Sequence, residues 1–98
     1  MNNTARFKFI EAMILVYGSV KSVHIQRCFD IAAPTARRVL SNYKKENKDS
    51  LYCDHSDKEY KPTDSFITKF LDEDAVTFLN AAQLMANQLI VQTRTVLI

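Results

Sequence analysis

One glycine and two prolines are all that punctuate 98 residues. A chain built of many short strands needs turn signals about every 8–12 residues, and turns draw on these residue types. With Gly18, Pro34 and Pro62 as the only such residues, a multi-stranded sandwich is disfavoured and long helices are favoured. Apolar residues make up 47% of the chain, enough to build a core and to set aside wholesale disorder.

The length suits one small globular unit. No run approaches the roughly 18–20 apolar residues of a membrane span, so no membrane partner is expected. The opening MNNTARFKF lacks the basic-then-apolar plan of a signal peptide, which predicts a cytoplasmic location. Cys28 and Cys53 fit that setting as reduced thiols. The net charge of +2 conceals a gradient. Residues 1–48 carry nine Lys and Arg against three acids, whereas residues 49–64 carry two against five. A basic first half on a nearly neutral chain points to a polyanionic partner or to simple solvation, and charge alone does not separate the two.

Apolar spacing predicts the elements. Residues 5–17 read as a helix in which Phe7, Ile10, Ile14 and Tyr17 form one stripe. Phe9, Met13 and Val16 form a second stripe, so this helix packs on two sides and stops at Gly18. Residues 20–29 form a short helix with Ile25, Cys28 and Phe29 inward and Ser22, Gln26 and Arg27 outward. Asp30 and Ile31 make a tight turn. A third helix over residues 33–46 buries Ala36, Val39, Leu40 and Tyr43. Pro34 suits its first turn, although Ala32 and Ala33 are weak caps. Residues 51–61 alternate as a β-hairpin closed by Pro62. Residues 72–90 form a fourth helix behind the acidic run Asp72-Glu73-Asp74. Ala75, Leu79, Ala82, Ala86 and Leu89 repeat along it at four and three, a short heptad-like seam expected to face a second subunit. The final TVLI is apolar and β-prone.

Helix, short helix, tight turn, helix and hairpin is the plan of a winged helix-turn-helix, in which the third helix enters the major groove of DNA. The outward face of that helix carries Pro34, Thr35, Arg37, Arg38, Ser41, Asn42, Lys44 and Lys45, with no acid before Glu46. Arg forks onto guanine, Asn pairs with adenine and Thr touches the thymine methyl. Thr35, Arg37 and Arg38 therefore qualify as base readers near the helix start, with Ser41 and Asn42 behind them. Lys44 and Lys45 are placed for phosphates, and Ser22, Gln26 and Arg27 on the outward face of the second helix are further DNA-binding candidates. The wing is acidic, which leaves Ser56, Lys58 and Lys61 as its only phosphate contacts.

The stretch RFKFIEAMILVYGSVKSVHIQRCFDIAAPTARRVLSNY, followed by LYCDHSDKEY and FITKF, resembles the N-terminal winged helix-turn-helix of WYL-domain transcriptional regulators from phage-defence islands. Arg6, Phe7, Phe9, Ile10 and Glu11 match that family's opening. Phe29, Ile31, Ala36, Leu40 and Tyr43 match its helical core, Lys58 and Tyr60 its wing, and Phe66 and Phe70 its exit. The resemblance implies a dimeric, repressor-like binder of double-stranded DNA, as in a regulator from a phage or other mobile element. Asp30 stands where the family has a turn glycine, Ala32 where it has a capping serine and Lys69 where it has an exit proline. Thr35 and Arg37 stand where Gln and Ser are usual, so the base preference is expected to differ. A WYL domain is not expected within 98 residues, so no small-molecule effector can be inferred from the resemblance.

His24, Cys28, Cys53 and His55 have the residue types of a zinc site, but Cys28 falls on the inward stripe and His55 in the wing turn. No metal, no cofactor and no catalytic group are expected, because neither histidine has a nucleophile and an orienting partner nearby in the pattern. The fold expected is mainly α with a small β-hairpin. Residues 1–70 are expected to form the DNA-binding winged helix-turn-helix and residues 71–98 a dimerisation helix or strand. Two rival functions remain: a protein-interaction module on the same fold, favoured by the acidic wing, and a non-specific nucleic-acid binder.

Overall fold

The structure, a computed structural model, describes residues 3–56 and 58–82. It is mainly helical with one small antiparallel hairpin, in the order α1 (Thr4–Tyr17), α2 (Ser22–Phe29), α3 (Ala33–Glu46), β1 (Leu51–Asp54) and β2 (Glu59–Pro62). Residues 75–82 are helical as well. This is a winged helix-turn-helix with an additional helix behind it.

Helix α1 is buried around much of its circumference, through Phe7, Phe9, Ile10, Ala12 and Ile14. The cover stops one turn short of its end. Tyr17 and Val16, expected on the two apolar stripes, are 62% and 39% exposed, because no described element lies over the last turn. Gly18 ends the helix at φ 78°, the left-handed conformation that costs a glycine least, and its N–H reaches the Ile14 carbonyl at 2.9 Å.

The second helix begins later than its apolar pattern suggests. Val20 is extended and pairs with Tyr60 of β2 through reciprocal N–H to carbonyl bonds of 2.9 and 2.8 Å. A β-branched residue on the open edge of a hairpin suits this use, and it ties the start of α2 to the wing. At the other end Asp30 takes the left-handed conformation, φ 54° and ψ 55°, that the turn demands. Aspartate tolerates that region better than most non-glycine residues, which suits it to the turn.

Helix α3 follows the sequence pattern closely. Ala36, Val39, Leu40 and Tyr43 are its buried residues, Pro34 sits in the first turn, and Ala32 makes no side-chain cap bond. The hairpin pairs Leu51 with Pro62 and Asp54 with Glu59, and Lys58 turns the chain at φ 56°.

Residues 63–74 leave the wing without regular structure and cross back over α1 and α3. Their backbone groups need partners, and Glu11 supplies them. This side chain is fully buried in the middle of α1. Its Oε2 accepts from the Tyr43 hydroxyl at 2.8 Å and from the Lys69 N–H at 2.7 Å. Its Oε1 accepts from the N–H groups of Phe70 and Leu71 at 2.9 and 2.7 Å. Phe7, Tyr43 and Phe70 close around the site, with ring centroids 5.0 to 6.1 Å apart. Asn47 completes the arrangement by donating to the Tyr43 hydroxyl at 2.8 Å and to the Ile67 carbonyl at 2.9 Å.

Residues 72–74 precede the next helix rather than belonging to it. Asp74 caps it, accepting from the Thr77 N–H at 3.0 Å and the Thr77 hydroxyl at 3.1 Å. The helix lays Leu79, 5% exposed, into the core of the same chain, with Ala75, Phe78 and Ala82 packed beside it. The remainder of the expected helix and the TVLI end lie outside the described residues.

Glu11→Gln should lower the unfolding free energy by on the order of 3 kcal/mol, since an amide NH2 replaces an acceptor facing buried N–H donors. Urea denaturation checks this, and a loss below about 1 kcal/mol would show that the donors find other partners.

Candidate nucleic-acid interface

Helical geometry sorts the outward side chains of α3. At about 100° per residue, Pro34, Arg38, Ser41 and Lys45 lie opposite the buried stripe. Arg37 and Lys44 flank them on one side, Thr35 and Asn42 on the other. Burial follows this order: Arg37, Arg38, Ser41, Lys44 and Lys45 are exposed, while Thr35 and Asn42 are half-buried. Arg37, Arg38 and Lys45 make no ion pair or hydrogen bond among the described residues. Three long cations on one helix face, with no internal partner, give a surface that attracts a polyanion.

Three lysines elsewhere are committed within the protein. Lys8 pairs with Asp72 at 3.0 Å, Lys21 with Glu59 at 3.6 Å and Lys61 with Asp54 at 2.8 Å. Lys61, expected to meet phosphate, is thus drawn to the Asp54 carboxylate, its diagonal neighbour across the hairpin. The Lys61 ammonium, helped by the hydroxyl and N–H of Ser56, holds the Asp54 carboxyl well below the usual carboxylate range. The wing's acids are therefore partly offset by its own lysines. Lys58 is exposed at the turn.

Sequence reasoning missed one contact that joins wing to helix. The Lys44 ammonium lies over the Tyr60 ring, 5.8 Å from its centroid. Tyr60 is also the residue whose backbone pairs with Val20, so α3, the wing and the entry to α2 meet at one residue. No spacing in the sequence brings residues 44, 60 and 20 together before the hairpin register is known.

On α2, Arg27 is exposed, and Ser22 and Gln26 are half-buried. The four metal candidates stay in two pairs: His24 and Cys28 on α2, Cys53 and His55 in the wing with Sγ and Nδ1 4.0 Å apart. Among the described residues no group of three or more ligand types converges. Burial pushes the Cys28 thiol up, which keeps it protonated. No helix among the described residues is long and apolar enough to cross a membrane. Of the seam residues, Leu79 is buried in its own chain and Ala75 and Ala82 are half-buried, while Ala86 and Leu89 lie outside the described residues.

The family described as the BrxR transcriptional regulator winged helix-turn-helix domain matches residues 2–84. No curated protein matches the chain.

His24 gives the region a pH dependence. Its Nδ1 accepts from the Lys21 N–H at 3.1 Å, a bond only the neutral ring can make. Burial, with Lys21 and Arg27 nearby, lowers its pKa below 6.5 despite the opposing charge of Glu59. The unfolded chain therefore takes up the proton first. The stability contributed by neutral His24 is complete above about pH 6.5 and is lost as the pH falls toward the folded value. His24→Gln should flatten this part of a stability-against-pH profile measured by urea denaturation; an unchanged slope would contradict it.

Proposed function

The chain belongs to the family of BrxR transcriptional regulator winged helix-turn-helix domains, and on that premise we propose that it binds duplex DNA in a sequence-specific manner and represses transcription as a homodimer. The WYL-type regulators whose N-terminal domain the sequence resembles are the wider context of this reading. One observation carries it: the outward face of α3 is basic, exposed and without ion pairs among the described residues, while Lys8, Lys21 and Lys61 on other elements are held in ion pairs.

In this reading α3 lies in the major groove. Arg38, opposite the buried stripe, reaches a base edge, with Thr35, Arg37, Ser41 and Asn42 beside it. Lys44 and Lys45 contact phosphates, with Ser22, Gln26, Arg27 and Lys58 flanking them. The ring of Tyr60 aims Lys44, so the wing acts largely by positioning a lysine of α3.

Two copies would address half-sites about 34 Å apart on an inverted repeat and occlude promoter DNA. The contact is proposed on residues 71–98, through the seam of Ala75, Leu79, Ala82, Ala86 and Leu89. Because Leu79 is covered by its own core, the apolar surface available beside it is Val76 and the last turn of α1, where Leu15 and Val16 stand exposed. The interaction-module alternative rested on an acidic wing, and the pairing of Asp54 and Glu59 with lysines weakens it.

Selection of bound duplexes from a random pool should return an inverted-repeat consensus. Arg38→Ala should cost about 1–3 kcal/mol and relax preference at one base position, whereas Lys45→Ala should weaken all duplexes alike and reduce the salt slope by about one. A pool without consensus, with both variants behaving identically, would contradict specific binding. Light scattering at micromolar concentration should give the dimer mass, and a monomer would end the half-site argument.

A further inference from the structure

A groove of about 370 Å³ lies between α1, α2 and the helical residues 75–82, sharing Arg27 with the proposed DNA contacts and Leu79 and Ala82 with the proposed seam. Its volume is that of a small-molecule site, in the range of roughly 300–1,000 Å³. Its walls are Phe9 and Met13 from α1 and Leu79 and Ala82 from the last helix. Its polar edge is formed by α2, where Arg27 and His24 line the groove. No carboxylate lines it among the described residues.

The state of this edge follows from geometry. Since His24 Nδ1 accepts from the Lys21 N–H, the neutral ring carries its proton on Nε2 and keeps a donor to offer. Arg27 is exposed and makes no ion pair among the described residues. The acid whose charge acts on His24 is Glu59, which is paired with Lys21 at 3.6 Å. A permanent cation and a neutral donor thus stand together beside an apolar trough, with no anion of their own.

We propose that this groove binds a small amphipathic organic anion, with its apolar body against Phe9, Met13, Leu79 and Ala82 and its acidic head on Arg27 and His24. Two rival occupants are a second copy of the chain and the chain's own residues 83–98. The latter contain Arg94 and no acid, so they bring no side-chain anion to Arg27. The charge of the edge selects against this segment and for a carboxylate-bearing ligand, and a second copy is an outcome of the test. The inference shares Arg27, Leu79 and Ala82 with the DNA-binding reading but does not rest on it, and its test uses no DNA.

Met13 is one of three methionines and lies in the wall, so a methionine-methyl NMR spectrum reports on the groove directly, with its resonance assigned by Met13→Leu. Sodium octanoate, 1-octanol and octylamine serve as anionic, neutral and cationic probes with one tail. Octanoate should shift the Met13 methyl saturably, at a midpoint at least about tenfold below that of octanol, as one charge-assisted hydrogen bond allows. Arg27→Gln, a change at an exposed position, should bring octanoate to the level of octanol. The proposal is overturned if Met13 does not respond, if octylamine binds as well as octanoate, or if Arg27→Gln leaves octanoate binding intact. An unresponsive Met13 in a protein that sediments as a dimer would assign the groove to a second copy.

Discussion

A single carboxylate inside α1 organises the molecule. A buried charge is stable only where donors surround it, and Glu11 has Tyr43 from α3 and the backbone N–H groups of Lys69, Phe70 and Leu71. The dependence is mutual. Residues 63–74 have no ladder of their own, and burying three of their N–H groups without acceptors would cost more than the apolar contacts of Phe66 and Phe70 return. Glu11 thereby fixes where the chain runs after the wing and where α1 stands against α3. It also sets the place from which the last helix brings Leu79 into the core.

The frame settles which charges are available. A net charge of +2 is too small to make the whole surface attractive to a polyanion. The fold concentrates attraction by internal pairing: Lys8, Lys21 and Lys61 are held by Asp72, Glu59 and Asp54, and Lys44 rests on Tyr60. Arg37, Arg38 and Lys45 stay unpaired together on one face of α3, while Arg27 and Lys58 are exposed singly on other elements. Exposed ion pairs contribute little to stability, so the pairing matters more for the shape of the field than for the fold.

Much of this was legible in the sequence. The buried stripe of α3 matches its apolar spacing residue for residue, because a period of three and four over fourteen residues has one helical solution. The hairpin followed from alternation, and Pro34 from the absence of an amide to satisfy. The rest was hidden for physical reasons. Glu11 was marked by the family resemblance alone, with no role attached; its partners besides Tyr43 are backbone amides 58 to 60 residues further on, and backbone amides carry no sequence signature. Val20 reads as helical by apolar pattern, and only the position of Tyr60 shows that it is an extra rung of the wing. At the candidate site, the face of α3 was readable from periodicity, while the capture of Lys61 and the seating of Lys44 depend on a register that no local pattern encodes.

The central claim is that the Glu11 carboxylate makes an irregular segment part of the rigid frame. Native-state amide hydrogen exchange tests it directly. The amides of Lys69, Phe70 and Leu71 should exchange as slowly as those in the middle of α1 and α3, opening only with global unfolding, although they belong to no helix or strand. Exchange at the rate of an ordinary surface loop, with α1 and α3 still protected, would contradict the account.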